Sequence, residues 1–253
     1  MPERMAVVIP TYKEARLSET VDVLSQQTRP IDDIVIVNNC PSDTLEISDA
    51  LLPCGSTLHV IDEPRKGTGT ASNTGFEYAI STLGANIIRR TDADTLPSKS
   101  WVEVIYEYFA MHPNKQLVTG PNPPIHDEHF RAADAVLWPA FWKTFKTAVS
   151  VASLCPVYMR TAPGHNLAIR SAAFEAVGRF TDSSIDDTDE DIELSRQIYD
   201  TFGFKAMGYS RQMEVNTSLR RLRKVGYMGL VGYYLHPNQQ DRLLKTGGNI
   251  DIR

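Results

Sequence analysis

The sequence predicts an α/β protein built on a doubly wound, mostly parallel sheet. Short Val/Ile-rich runs alternate with helical patterns through the first 120 residues, the rhythm of successive βα units. Those runs are continuously apolar rather than alternating, as strands buried on both faces should be. At 253 residues, 42% of them hydrophobic, the chain can bury a sizeable core.

Each element has its own signal. Residues 5–10 form the first strand candidate, with a helical pattern near 15–27. Residues 33–39 make the second, followed by a helix near 42–51. Residues 57–62 and 86–91 are the third and fourth strands, with helices near 70–83 and 99–111. A fifth strand falls at 116–120. The rhythm then breaks at the loop Pro121-Asn122-Pro123-Pro124. Beyond it, Trp138, Phe141, Trp142, Phe145 and Val149 recur at helical spacing. Residues 163–170 read as extended, and helices are expected at 171–177, 189–202 and 219–235.

Bulk properties exclude several classes. A net charge of −5 argues against a nucleic-acid binder. Three cysteines without a CxxC pair suit a reducing cytoplasm and offer no zinc site. The first strand begins by Met5, which leaves no room for a signal peptide, and no 18-residue apolar run predicts a membrane span. The sequon at Asn216 is read as coincidental.

Five segments carry candidate chemistry. The fourth strand delivers Asp92-Ala93-Asp94 at its C-terminal end, where ligands gather in open α/β sheets. Two carboxylates there can seat a hard cation, Mn2+ or Mg2+, together with substrate phosphate oxygens, and they can equally cap the following helix. The first strand ends Pro10-Thr11-Tyr12-Lys13-Glu14, which places Tyr12 to stack on a base or ribose, while Thr11 and Glu14 also fit a capping box. The second strand ends Val37-Asn38-Asn39-Cys40, where polar residues are placed to hydrogen-bond a nucleoside or to build a turn. Arg65 and Lys66 precede the small-residue loop that opens the third helix, a place where phosphates can approach. No P-loop or dinucleotide fingerprint is present. Finally, six acids crowd residues 186–193, among them Glu190 and Asp191. That suits a helix N-terminus, and crowding raises carboxylate pKa values toward what a general base needs.

This ordered set resembles the GT-A family 2 glycosyltransferases across roughly residues 5–223. The matching motifs are residues 10–14, 37–39, Lys66-Gly67 with Asn73-Thr74-Gly75, Asp92-Ala93-Asp94, residues 164–170 and Glu190-Asp191. The resemblance implies a single GT-A domain over 1–253. Its nucleotide-sugar half would span 1–120 and its acceptor and catalytic-base half 121–253. It further implies an inverting transferase that uses a nucleotide-diphosphate sugar, UDP-sugar favoured. Pro10, Thr11, Tyr12, Glu14, Asn38, Lys66, Asp92, Ala93 and Asp94 would hold the donor. Asp94 and Asp92 would hold the metal, with His236 as a further ligand candidate. Asp191 would be the base, with Glu190 beside it. Gly164, His165, Trp138 and Trp142 would line the sugar and acceptor pocket. Two departures stand out: Asn38 occupies the family's usual acidic position, and Ala71-Ser72-Asn73 replaces Ala-Arg-Asn. The processive Gln-x-x-Arg-Trp motif is missing, which favours a single transfer.

The acceptor stays open between a carbohydrate, a lipid and a natural-product aglycone. The aromatic stripe of residues 138–145 reads as core packing, as an apolar acceptor pocket or as shallow contact with a membrane surface, which would put the protein at the inner face of the membrane. Two other functions are weighed. A polyprenyl-phosphate glycosyl synthase would use Arg220, Arg221 and Arg223. A nucleotide-sugar-binding protein without catalysis is the other.

Overall fold

The computed structural model describes residues 3–42, 45, 47–154, 156–180 and 190–235. The first strand, β1 (Met5–Thr11), lies between β2 (Asp33–Asn38) and β5 (Ile87–Arg90), parallel to both. β4 (Thr57–Asp62) extends the parallel set beyond β2. Thr11, Asn38 and Asp62 stand side by side in register at the carboxyl ends of β1, β2 and β4. Beyond β5 the order continues through β8 (Leu167–Arg170) and β7 (Leu117–Thr119) to β9 (Met207–Tyr209), and β8 runs antiparallel to both its neighbours.

Two apolar layers explain the unbroken hydrophobic runs. Met5, Val7 and Ile9 of β1, with Ile34 and Ile36 of β2, face α1 (Leu17–Ser25) and α3 (Trp101–Met111). Ala6 and Val8, with Val35 and Val37, face α2 (Thr68–Ser81), α5 (Ser171–Val177) and α6 (Glu190–Phe202). The period-2 alternation of strand side chains thus feeds both faces, and the sheet is doubly wound. Gly75 lets α2 approach the sheet, since a Cβ there would press on Val8 and Val37.

One sequence expectation is corrected, and one element is added. The segment 42–51 is not a helix in its described residues: β3 (Ala50–Leu51) pairs antiparallel with β4, and Asp49 Oδ1 accepts from the Val60 N–H at 2.6 Å. Leu45, Ile47 and Leu52 pack on the core from an extended chain. Leu96-Pro97, to which the sequence reading assigns no element, belongs to β6 (Thr95–Pro97), which forms an antiparallel ribbon with β10 (Val215–Thr217). A partner 120 residues away creates that ribbon.

The remaining helices form a wall. α4 (Asp134–Ala152) meets α7 (Arg220–Leu235) through a small cluster of Trp138, Leu219, Leu222 and Leu230. An ion pair between Arg223 and buried Asp134 ties the two. α7 breaks at Gly226, whose φ of 69° a side chain would resist. No helix among the described residues is long and apolar enough to cross a membrane.

Candidate active site

A cavity of about 720 Å3 opens above the carboxyl ends of β1 and β5 and beneath the α4–α7 wall. Its lining brings together Pro10, Thr11, Tyr12, Glu14, Asp92, Ala93, Asp94, Trp138, Trp142, Gly164, His165, Glu190 and Asp191, all singled out from the sequence. Asn38 and Lys66 do not line it. The buried Asn38 amide is turned to its neighbours, donating to Asp62 Oδ1 at 3.0 Å and accepting from Cys40 N–H at 3.1 Å. Lys66 is exposed, its Nζ 5.7 Å from the centre of the Tyr12 ring. The polar residue that does reach the lining from the second strand end is Asn39. Its side chain donates to the Glu63 and Arg65 carbonyls and accepts from Gly67 N–H, latching the loop before α2. His236 and the acids at 186–189 lie outside the described residues.

The capping box proposed for Thr11 and Glu14 does not form, because α1 begins only at Leu17. Glu14 instead accepts from Arg220 Nη2 at 3.1 Å, and the same nitrogen donates to Asp94 Oδ2 at 3.2 Å. Burial, then the like charge of Asp92, pushes the Asp94 carboxyl above the usual range, against the pull of Arg220. Among the described residues no three His, Cys, Asp or Glu side chains group as a metal cage. Two carboxylates are nevertheless what Mg2+ or Mn2+ takes from a protein when phosphates and water complete its shell. The crowding of Asp92, Asp94 and Glu14 is negative charge that a cation would relieve, so the donor set fits one.

Arg90 organises the other side. Fully buried at the end of β5, it donates to Glu190 Oε1 at 3.2 Å and to Asp92 Oδ1 at 3.3 Å. Its guanidinium rests against Gly164, where a Cβ would fall 2.7 Å from both terminal nitrogens. Gly164 N–H in turn donates to Asp191 Oδ2 at 2.9 Å. Burial first, and the charge of Glu190 next, push Asp191 up to about 7, against the Gly164 bond and Arg90. Burial pulls His165 down to about 4, so its imidazole is neutral near pH 7.

Sequence reasoning passed over Arg90, taking the basic pair only as an interruption of an apolar strand. It also gave Asn166 no role. That side chain donates to the carbonyls of Pro121 and Met213 and to Asn122 Oδ1, and accepts from Trp101 Nε1, locking the floor around Gly164 and His165. Neither role has a local signal, since Glu190 lies 100 residues from Arg90 and the Asn166 partners lie 44–65 residues away.

A family model described as glycosyl transferase family 2 matches residues 6–177. The chain belongs to that family. The match spans the main sheet from β1 to β8 but not β9, with the Asp92–Asp94 segment and Gly164, and this member of family 2 is a glycosyltransferase. Solved structures agree on the fold. S. aureus TarS 1-349 is 15% identical with a TM-score of 0.61, over 95% of this chain and 69% of that one. The mannosyltransferase PcManGT from Pyrobaculum calidifontis, in complex with GDP-Man and Mn2+, is 18% identical with a TM-score of 0.60, over 96% and 73%. Glucosyl-3-phosphoglycerate synthase from Mycobacterium tuberculosis, in complex with Mn2+ and UDP-Glc, is 15% identical with a TM-score of 0.62, over 93% and 79%. No curated protein matches the chain.

Proposed function

We propose that this glycosyltransferase moves a sugar, with inversion, from a nucleotide-diphosphate sugar to an acceptor hydroxyl, with Asp191 as general base. One observation carries the reading. Asp191, raised to about 7 and aimed by the Gly164 N–H at 2.9 Å, shares one cavity with the Asp92–Asp94 pair. A carboxylate of that basicity is matched to taking a hydroxyl proton near neutral pH. The acceptor oxygen bonds to the anomeric carbon as its proton passes to Asp191. The bond to the diphosphate breaks and its electron pair leaves with the nucleotide.

Asp94 and Asp92 would hold a divalent cation, Mn2+ or Mg2+, which when bound supplies neutralisation of the leaving diphosphate. Arg220, beside Asp94, holds part of that charge from the protein side. Tyr12 offers a ring to the nucleoside end, beside the loop that Asn39 latches. A UDP-sugar is the favoured donor, since TarS and the phosphoglycerate enzyme were both crystallised with UDP-sugars. Trp142, with the apolar side of α4, faces the acceptor.

Thermal stability with UDP, GDP, dTDP and CDP, each with and without Mn2+, tests the donor site. At a hundred times its dissociation constant a nucleotide adds about 2.7 kcal/mol, a rise on the order of 5–10 °C for a chain of this size. UDP with Mn2+ should produce that rise, and Asp94→Ala should remove its metal-dependent part. No shift with any nucleotide would sink the reading.

A further inference from the structure

The acceptor side of the cavity holds positive charge that the transfer step, as derived above, does not use. Partly buried Lys146 on α4 lines the cavity, and its hydrogen bond among the described residues runs to a neutral group, the Thr161 carbonyl, at 3.1 Å. An ammonium has three donors, so two remain. Burial pulls it down to about 8, the mark of a cation short of compensation, with Asp191 acting in the opposite sense. Next to it, His165 Nε2 is buried without a hydrogen-bond partner among the described residues. Asp92 acts on that imidazole in one sense and Arg90, Arg221 and Lys146 in the other, so cationic side chains from β5, α7 and α4 outnumber the one carboxylate at this corner. Arg90 is matched by Glu190 and Asp92, whereas Lys146 has no carboxylate at bonding distance among the described residues.

We infer that Lys146, His165 and Arg221 form an oxyanion site for the acceptor, which therefore carries a phosphate or carboxylate besides the hydroxyl that reacts. Placement separates this corner from the donor diphosphate. Asp94 is paired with Arg220, while Lys146 acts on Asp191, and Arg221 acts on both Asp94 and His165 between the two corners. The walls around Lys146 are Trp142, Phe145, Val149 and Tyr158, which suit the apolar body of an amphiphilic acceptor. A lone buried amine beside an unpaired imidazole costs stability. An anion bonded by both offsets that cost through charge-assisted hydrogen bonds.

The inference rests on the glycosyl-transfer reading, and its test keeps the two apart. Glycerol 1-phosphate, glycerate and glycerol are titrated calorimetrically into the protein at constant ionic strength. The protein is saturated with UDP and Mn2+ in one arm and free of both in the other. Either anion should bind in both arms and glycerol in neither. Lys146→Gln should weaken the anion about tenfold, and Lys146→Arg should retain it. An unchanged UDP affinity in both variants shows that they fold. The inference falls if neither anion binds, if Lys146→Gln binds them as tightly, or if UDP displaces them, which would assign the cations to the donor diphosphate. Loss of UDP binding with anion binding intact would instead overturn the donor reading and leave this one standing.

Discussion

Arg89 and Arg90 are neighbours on β5, and the two faces of the sheet treat them in opposite ways. Arg90 points toward α6, where Glu190 and Asp92 receive it. Arg89 points toward α1 and α3, fully buried, with Nη2 on the Met5 sulfur at 2.8 Å and both Nε and Nη1 unpaired. The Trp101 ring, 5.7 Å from its guanidinium carbon, offers a cation–π partner and no charge. Burial pulls Arg89 down to about 9, whereas Arg90 is held above its ordinary value: burial alone would lower it, and Asp92 and Glu190 outweigh that. What separates a site residue from a liability is whether a distant element brings carboxylates to it. The Arg90 face is where the cavity chemistry collects, and the Arg89 face is apolar packing with one cation trapped in it.

The largest effect is expected on the Arg90 face. Asp191→Asn should lower turnover by roughly 10²–10⁴-fold, the usual weight of a general base, while UDP–Mn2+ affinity stays near wild type. Wild-type kcat/KM should rise with pH through about 7 as Asp191 releases its proton. Stability runs the other way. The folded-state pKa lies above the unfolded value, so between about 4 and 7 the native chain binds more protons and stability falls as pH rises. Asp191→Asn removes that slope. It should gain in Tm relative to wild type on going from pH 5 to pH 8, and a constant difference between the two proteins would refute the burial argument for Asp191.

Next in size is Arg90→Met. It strands Glu190, which is 7% exposed, without its cation. Breaking a buried pair by removing one partner costs about 3–5 kcal/mol, so urea unfolding should show a loss of that order at pH 7. Activity should fall with it, since Gly164 and Asp191 lose the guanidinium they are packed around. A loss below about 1 kcal/mol would mean that the pair is solvated, and the contrast between the two faces would fail.

Much of this arrangement was legible in the sequence, and the illegible part has a common cause. β1, β2, β4 and β5 announced themselves because burial on both faces leaves only apolar choices. Asp92–Asp94 stood out because ligands gather at strand ends in open α/β sheets, although two carboxylates there also fit a helix cap. The extended stretch 163–170 became a 3-10 turn over Gly164–Asn166 followed by β8. Residues 42–51 misled because Leu45 and Ile47, two apart, read as easily within a helical pattern as along an extended chain. The β6–β10 ribbon, the Asn166 hub and the Arg90 bridge all depend on partners many tens of residues distant, for which composition and periodicity carry no signal. Asn38 taught a subtler point. A polar residue at a strand end need not face the ligand, and the alternation of the strand turned Asn39 to the cavity instead.

The smallest expected effect lies on the other face, and it decides whether the comparison is right. Arg89→Met replaces a trapped cation with an unbranched apolar side chain of similar reach. The position is lined by Met5, Trp101 and the apolar layer over α3. Substituting well-packed hydrophobic residues for buried charge is often neutral or stabilising, and two unpaired guanidinium nitrogens add a desolvation cost that the variant escapes. Arg89→Met should therefore match or exceed wild-type stability, by about 1 kcal/mol at pH 7, with unchanged UDP–Mn2+ affinity. Because the folded-state pKa of Arg89 lies below its unfolded value, wild type recovers stability as pH rises past about 9, so the advantage of the variant should shrink there. A loss of more than about 2 kcal/mol would show that Arg89 has a partner as real as that of Arg90, and that both faces of β5 are built around charge.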